Sequence, residues 1–245
     1  IFILELSSYQ LDDIKFSPDI SVITNLFQEH MDYHSGIENY YLAKKNIINF
    51  QTQKDLFIYN PKYKKLAAWA KKTPSKAIPF IKDIPLKNFK IPLIGEHNKE
   101  NIRAAITAAK VFNVSDGVIK RAVENFKGLP HRLEFIGEFS GVKFYDDGSS
   151  TNPESAILAI RSLRNIDTIF LGGQDRGYNF SQLEKTIRKY KIKNIVLFPD
   201  SGDKILRSSK NLNVLHTSKM KEAVNFAYKN TKKGGVCLLS GGSPS

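Results

Sequence analysis

The segment GLPHRLEFIGEFSGVKFYDDGSSTN, residues 128–152, separates two unlike halves of the chain and gathers polar groups suited to a nucleotide into one place. It opens on Gly-Leu-Pro. Gly tolerates unusual backbone angles and Pro fixes its own, so the pair makes a defined bend suited to a hinge. After His131 and Arg132, alternating runs at 133–139 and 142–145 flank Ser140-Gly141, which is a hairpin signature. The exit is acidic and hydroxylated, from Asp146 and Asp147 to Thr151 and Asn152. Pro153 and the apolar-periodic residues 154–163 follow, a strand-to-helix turn with Pro near the first helical position. Backbone amides at such a helix start favour anions. Each part taken alone has a simpler reading as turn chemistry.

Downstream, strand patterns at 168–171, 194–198, 213–216 and 236–239 alternate with helical stretches near 181–190, 203–208 and 218–228. Strict alternation of this kind predicts a Rossmann-like, doubly wound α/β domain. No G-x-G-x-x-G follows its first strand, which argues against dinucleotide binding. GGQDRGYNF at 172–180 offers glycines and one cation, suited to a carboxylate or phosphate or simply to turning the chain.

Upstream, residues 1–4 (IFIL) read as a buried strand ending at Glu5, where a carboxylate either reaches a metal or phosphate or caps the next turn. A second strand at 20–24 leads into a loop holding His30, Asp32 and His34. The loop lacks the H-E-x-x-H spacing of a dedicated zinc site. Residues 36–50 predict a helix carrying Lys44 and Lys45, whose default is a solvated face. Shorter strands at 56–59 and 77–81 bracket a helix at 63–71 with Trp69 in the core. His97, Asn98 and Asn101 open a helix that runs to 112, and another follows at 115–125.

The length suits two modest domains, expected at 1–127 and 128–245. With 41% hydrophobic and 25% charged residues the composition is that of a soluble globular protein, and no apolar run is long enough for a membrane span. The single Cys237 excludes an intrachain disulfide and fits a reducing compartment, read as cytoplasm. The +13 charge is scattered over helices rather than gathered in a block, so nucleic acid is not an expected partner. The apolar start and the Ser-Gly-Gly-Ser-Pro-Ser finish suggest a piece cut from a longer protein.

Six segments in order, ELSSYQL (5–11), the NLFQEHMD loop (25–32), YYLAK (40–44), GEHNKEN (95–101), GLPHRLE (128–134) and DDGSSTN (146–152), resemble the Mur ligases. The last two match those members that add D-glutamate to UDP-N-acetylmuramoyl-L-alanine in peptidoglycan synthesis. The resemblance implies part of a P-loop-type central ATP-binding domain followed by the Rossmann-like one. It also implies an ATP-dependent, magnesium-dependent acyl-phosphate mechanism and a monomer. It assigns Glu5, His30 and a carbamylated Lys44 to magnesium, and Ser7, Gln10 and His30 to the UDP-sugar substrate. Asn101, Arg132 and Asp147 go to ATP. Thr151, Arg176 and Ser245 go to D-glutamate. A lysine of the family pattern is replaced at two positions, by Ser149 and Arg176. No G-x-x-x-x-G-K-[ST] phosphate loop occurs in the 245 residues, so the polypeptide alone is not expected to catalyse. A related ligase with another amino acid, and a non-catalytic α/β binding module, are the competing readings.

Overall fold

A computed structural model describes residues 1–27, 31–82, 84 and 88–244, without the side chains of Met31 and Asp32. The chain forms two compact units, one of Ile1–Ile91 with His97–Phe126, the other of Pro92–Glu96 with Lys127–Ser245. Pro92–Glu96, read with the first half in sequence, belongs to the second unit because Ile94 packs against that unit's core.

The first unit is built on three parallel strands in the order β1 (Ile20–Ile23), β2 (Leu56–Tyr59), β3 (Lys76–Pro79). Its helices are α1 (Ser8–Leu11), α2 (Met31–His34), α3 (Ile37–Asn49), α4 (Lys64–Ala70), α5 (Glu96–Val111, all but its first residue) and α6 (Asp116–Asn125). Successive residues of a strand face opposite ways. Accordingly Phe57 packs with Ile48 and Leu66 of α3 and α4, while Ile58 packs with Phe80 and Ala104 of α5. Covering both faces is what parallel strands require.

Residues 1–4 do not form the expected strand. Ile1, Phe2, Ile3 and Leu4 are 91%, 96%, 92% and 74% exposed, and none of the described strands pairs with them. An apolar run becomes a strand only where a neighbour takes up its backbone N–H and C=O groups, and no neighbour is in place here.

The second unit holds one six-stranded sheet in the order β4-β5-β9-β6-β7-β8. The antiparallel hairpin β4 (Glu134–Phe139) and β5 (Val142–Asp146) sits at one edge. The other strands, β6 (Ile166–Gly173), β7 (Asn194–Asp200), β8 (Asn213–His216) and β9 (Val236–Leu239), run parallel. Ile169, Leu171, Ile195, Leu197 and Leu238 point to the face covered by α7 (Pro153–Ser162), α8 (Ser181–Lys189) and α9 (Gly202–Ile205). Phe170, Val196 and Cys237 point to the face covered by α10 (Met220–Asn230) through Ala223 and Ala227. After β8 the chain crosses back to place β9 on the other side of β6. That reversal opens a crevice at the carboxyl ends of β6 and β9, the usual ligand position in such sheets.

Candidate active site

In the first unit, Glu5, Ser7, Ser8, Gln10, Tyr40 and Lys44 surround a cavity of about 340 Å³. Two local devices assemble it. Ser7 and Gln10 form a capping box: Gln10 Oε1 accepts from the Ser7 N–H at 2.8 Å, and Ser7 Oγ accepts from the Gln10 N–H at 3.3 Å. Asn46 of α3 then donates to the Leu11 and Asp12 carbonyls at 2.8 and 3.1 Å. This bond sets the register of α1 against α3, so that Lys44, two residues earlier, lines the same cavity as Glu5. Tyr40 lies one turn before Lys44 on the same helix face. The Lys44 Nζ is 5.8 Å from the Tyr40 ring centre.

Two buried groups in this region received no assignment from the resemblance. Ser8 is 1% exposed and its Oγ has no hydrogen-bond partner, although it borders the cavity. His34 lies behind Tyr40, with ring centres 4.8 Å from Tyr33 and 5.6 Å from Tyr40, and its buried Nε2 also has no partner. Nothing local marks Ser8, and the burial of either group without a partner is a property of the packed unit. His30 lies outside the described residues. Asn101 sits exposed on α5, its amide 3.4 Å from Asn98 Oδ1, away from this cavity.

In the second unit a cavity of about 760 Å³ occupies the crevice at the switch point. Gly173 and Gln174 from the end of β6, Asp200 from β7 and Ser243 beyond β9 line one side. His131, Asp146 and Ser149 from the hairpin line the other. Ser243 is 3% exposed and its Oγ has no partner.

The two adjacent carboxylates behave differently. Asp146 faces the cavity: its Oδ2 lies 2.7 Å from His131 Nδ1 and its Oδ1 accepts the Gly148 N–H at 2.8 Å. Asp147 is 7% exposed and turned inward, accepting from the Leu133 N–H at 3.1 Å and the Ser240 hydroxyl at 2.9 Å. It ties the hairpin to the end of β9. Arg132 is exposed, with Nη1 donating to the Ser149 carbonyl at 3.2 Å. Thr151 is half-buried outside the cavity. Arg176 is also outside it, its guanidinium on Gln174 Oε1 at 3.2 Å, and the neighbouring Asp175 pairs with Lys204. Ser245 lies outside the described residues.

Burial pushes the Asp147 carboxyl up to about 6, outweighing the Ser240 and Leu133 bonds that pull it down. An acid whose folded pKa exceeds its unfolded one binds a proton on folding, so its contribution is full below the unfolded pKa near 3.8 and is lost as the pH rises through about 6. Asp147→Asn keeps both bonds available if Ser240 turns to accept. The variant is expected to gain up to about 3 kcal/mol relative to the parent between pH 4 and pH 8. Urea midpoints at several pH values would show this, and parallel profiles for the two proteins would refute it.

Residues 1–84 match the Mur ligase middle domain and residues 131–242 the Mur ligase glutamate ligase domain. UDP-N-acetylmuramoylalanine–D-glutamate ligases from Ligilactobacillus salivarius and Listeria innocua are each 34% identical over 97% of this chain. The chain spans 57% and 56% of their respective lengths. Among solved structures, MurF ligase from Thermotoga maritima in complex with ADP superposes with a TM-score of 0.75 at 15% identity, covering 92% of this chain and 58% of that one. MurF from Acinetobacter baumannii superposes with a TM-score of 0.71 at 18% identity, covering 96% and 58%. With both of its units matched by Mur ligase domains, and relatives of this family 34% identical over 97% of its length, the chain belongs to the Mur ligase family.

Proposed function

We propose that the full-length protein joins D-glutamate to UDP-N-acetylmuramoyl-L-alanine with ATP, in the cytoplasm, as a step of peptidoglycan precursor synthesis. The observation that carries this reading is the first-unit cavity, where Glu5, Ser7, Ser8 and Lys44 meet. The relatives at 34% identity are named for the same reaction.

A carboxylate resists attack by an amine until its oxygen becomes a leaving group. In this reaction the alanyl carboxylate takes the γ-phosphoryl group of ATP to give an acyl phosphate. The amine of D-glutamate then displaces phosphate through a tetrahedral intermediate. The donor set of the first cavity fits magnesium: the Glu5 carboxylate, the serine hydroxyls and a carbamate on Lys44 are hard oxygen ligands, and the orphaned Ser8 hydroxyl is available to a hydrated ion. Glu5, Lys44 and His30 are its proposed holders. When bound, the ion neutralises charge on the phosphate oxygens. Ser7 and Gln10 are already fixed by their capping box, so they present a rigid edge to the UDP-sugar substrate. Arg132 and Asn101 are the proposed ATP contacts, with Asp147 positioning the hairpin beside Arg132. Thr151, Arg176 and Ser245 are the proposed D-glutamate contacts, Arg176 supplying a planar two-pronged donor where the family pattern has a point charge.

Phosphate release by the full-length protein, measured with ATP, the UDP-muramoyl substrate and a panel of amino acids, tests this. Release that depends on D-glutamate is expected. Release with a different amino acid only would make the protein another Mur-type ligase. ATP binding without release for any amino acid would make it a non-catalytic α/β module.

A further inference from the structure

We propose that the cavity of the second unit binds an uncharged ribonucleoside, at a site separate from the one that holds ATP for the ligase reaction. Every residue bordering this cavity belongs to the second unit, and its volume is that of an ordinary small-molecule site.

Two features turn an anion away. Asp146 and Asp200 border the cavity, and no lysine or arginine does. The one basic ring on the wall, His131, is already paired with Asp146 at 2.7 Å, and Lys219, between the bordering residues Ser218 and Met220, is paired with Glu222 at 3.1 Å. The phosphate position is also taken. In doubly wound sheets the turn after the first parallel strand carries a dinucleotide's pyrophosphate. Here that turn is Gly173-Gln174, and the chain's own Pro244 fills it: the Gln174 N–H bonds to the Pro244 carbonyl at 2.6 Å, and a methyl group on Gly173 would overlap the same oxygen.

The ribose position is open. The run β9-β6-β7-β8 is the half sheet of a nucleotide-binding fold, with β6 its first strand in sequence and β7 its second. In that arrangement an acidic residue at the end of the second strand hydrogen-bonds the ribose hydroxyls. Asp200 ends β7. A register shift between Leu171 and Gly173 sets Asp200 opposite Gly173, and the Ser201 N–H on the Gly173 carbonyl at 2.9 Å holds the turn there. Among the described residues the Asp200 carboxylate makes no hydrogen bond or ion pair, although it borders the cavity.

The rest of the wall suits a planar base. Phe198 and Pro199 precede Asp200 on β7, Leu239 ends β9, and Met220 opens α10. The Phe198 ring is held by Phe170, with centres 6.3 Å apart and planes at 81°. Met220 is 47% exposed, and its unbranched thioether adapts to a flat surface. Ser243 supplies the buried polar group: its Oγ borders the same cavity without a partner, a cost that a bound hydrogen-bonding ligand removes. A base against the apolar wall, with its diol on Asp200, uses each of these groups and calls for no cation.

Calorimetric titration of the full-length protein with adenosine, guanosine and uridine, each with and without magnesium and a non-hydrolysable ATP analogue, tests this. At least one nucleoside is expected to bind in one equivalent, with an affinity that the analogue changes less than about threefold. Asp200→Asn should weaken that nucleoside about 10–100-fold, because an ionised acceptor is lost at a backbone angle that Asn also tolerates. The 2′,3′-dideoxy form should bind the parent as weakly. Met220→Glu should weaken binding at least about tenfold by setting a charge against the base. Both side chains are exposed, so the unfolding midpoints of the variants should match the parent's. Binding of none of the three nucleosides, displacement by the ATP analogue, or full affinity in either variant or for the dideoxy form would overturn the proposal.

Discussion

Lys44→Ala in the full-length protein is expected to lower D-glutamate-dependent phosphate release at least about 10³-fold, which is several kcal/mol of transition-state stabilisation. Lys44 lies at the only position of α3 from which a side chain borders the cavity together with Tyr40, opposite Glu5, Ser7 and Ser8. Losing its proposed carbamate removes an oxygen ligand from a site where few others converge. Folding should change little, because the residue is half-buried and its helix is held by Tyr40, Ala43 and Ile48 in the core. Lys45→Ala is the control: the next residue points about 100° away around the helix, and Lys45 does not border the cavity. Isotopically labelled carbon dioxide should become attached to the parent protein and not to Lys44→Ala. Turnover within about tenfold of the parent would end the assignment.

Gly172→Ala should have the largest effect on stability. Gly172 has φ +115°, and a methyl group there would fall inside the contact distance of the Phe198 carbonyl oxygen on the neighbouring strand. The backbone is held close on both sides: the Gly172 N–H bonds to the Gly241 carbonyl at 2.9 Å and the Gln174 N–H to the Pro244 carbonyl at 2.6 Å, while the Gly173 carbonyl accepts the Ser201 N–H just after β7 at 2.9 Å. These bonds draw the ends of β6, β7 and β9 together at the mouth of the cavity. The clash is with backbone, which cannot swing aside as a side chain can. Overpacking and the imposed φ together should cost about 3–5 kcal/mol, a large part of the stability of an ordinary domain. Gly177→Ala is the matched control, since Gly177 has φ +71° with nothing within 4 Å of the added methyl group. It should cost about 1 kcal/mol. Equal unfolding midpoints for the two variants would show that the close approach is not what the glycine serves.

The Gly172-Gly173 pair also shows why part of the site could not be read in advance. In sequence, GGQDRG looks like a loop that receives an anion. In the folded unit the Gly172 N–H is bonded to the Gly241 carbonyl, about seventy residues later, so that amide ties the strand ends together while the pair borders the cavity. Asp146 and Asp147 make the same point. As neighbours in sequence they are chemically equivalent, yet adjacent residues of a strand end point to opposite sides. One enters the cavity and the other is buried against Ser240. Ser8 and Ser243 carried no signal at all, for a hydroxyl is unremarkable until packing removes water and leaves it without a partner.

What the sequence by itself determined is the succession of elements and the family. Strands at 56–59, 213–216 and 236–239 and the helix α3 lie where residue periodicity places them, because period 2 and period 3.6 are properties of a few neighbouring residues. The spaced segments ELSSYQL, YYLAK and GLPHRLE resemble the Mur ligases, the family whose domains match both units. The tertiary structure alone decided which strands are neighbours. It set β9 between β5 and β6, left residues 1–4 without a partner, and brought His131 to Asp146 fifteen residues away. Those outcomes depend on which distant backbone groups and apolar faces satisfy one another, and no local window of sequence contains both partners.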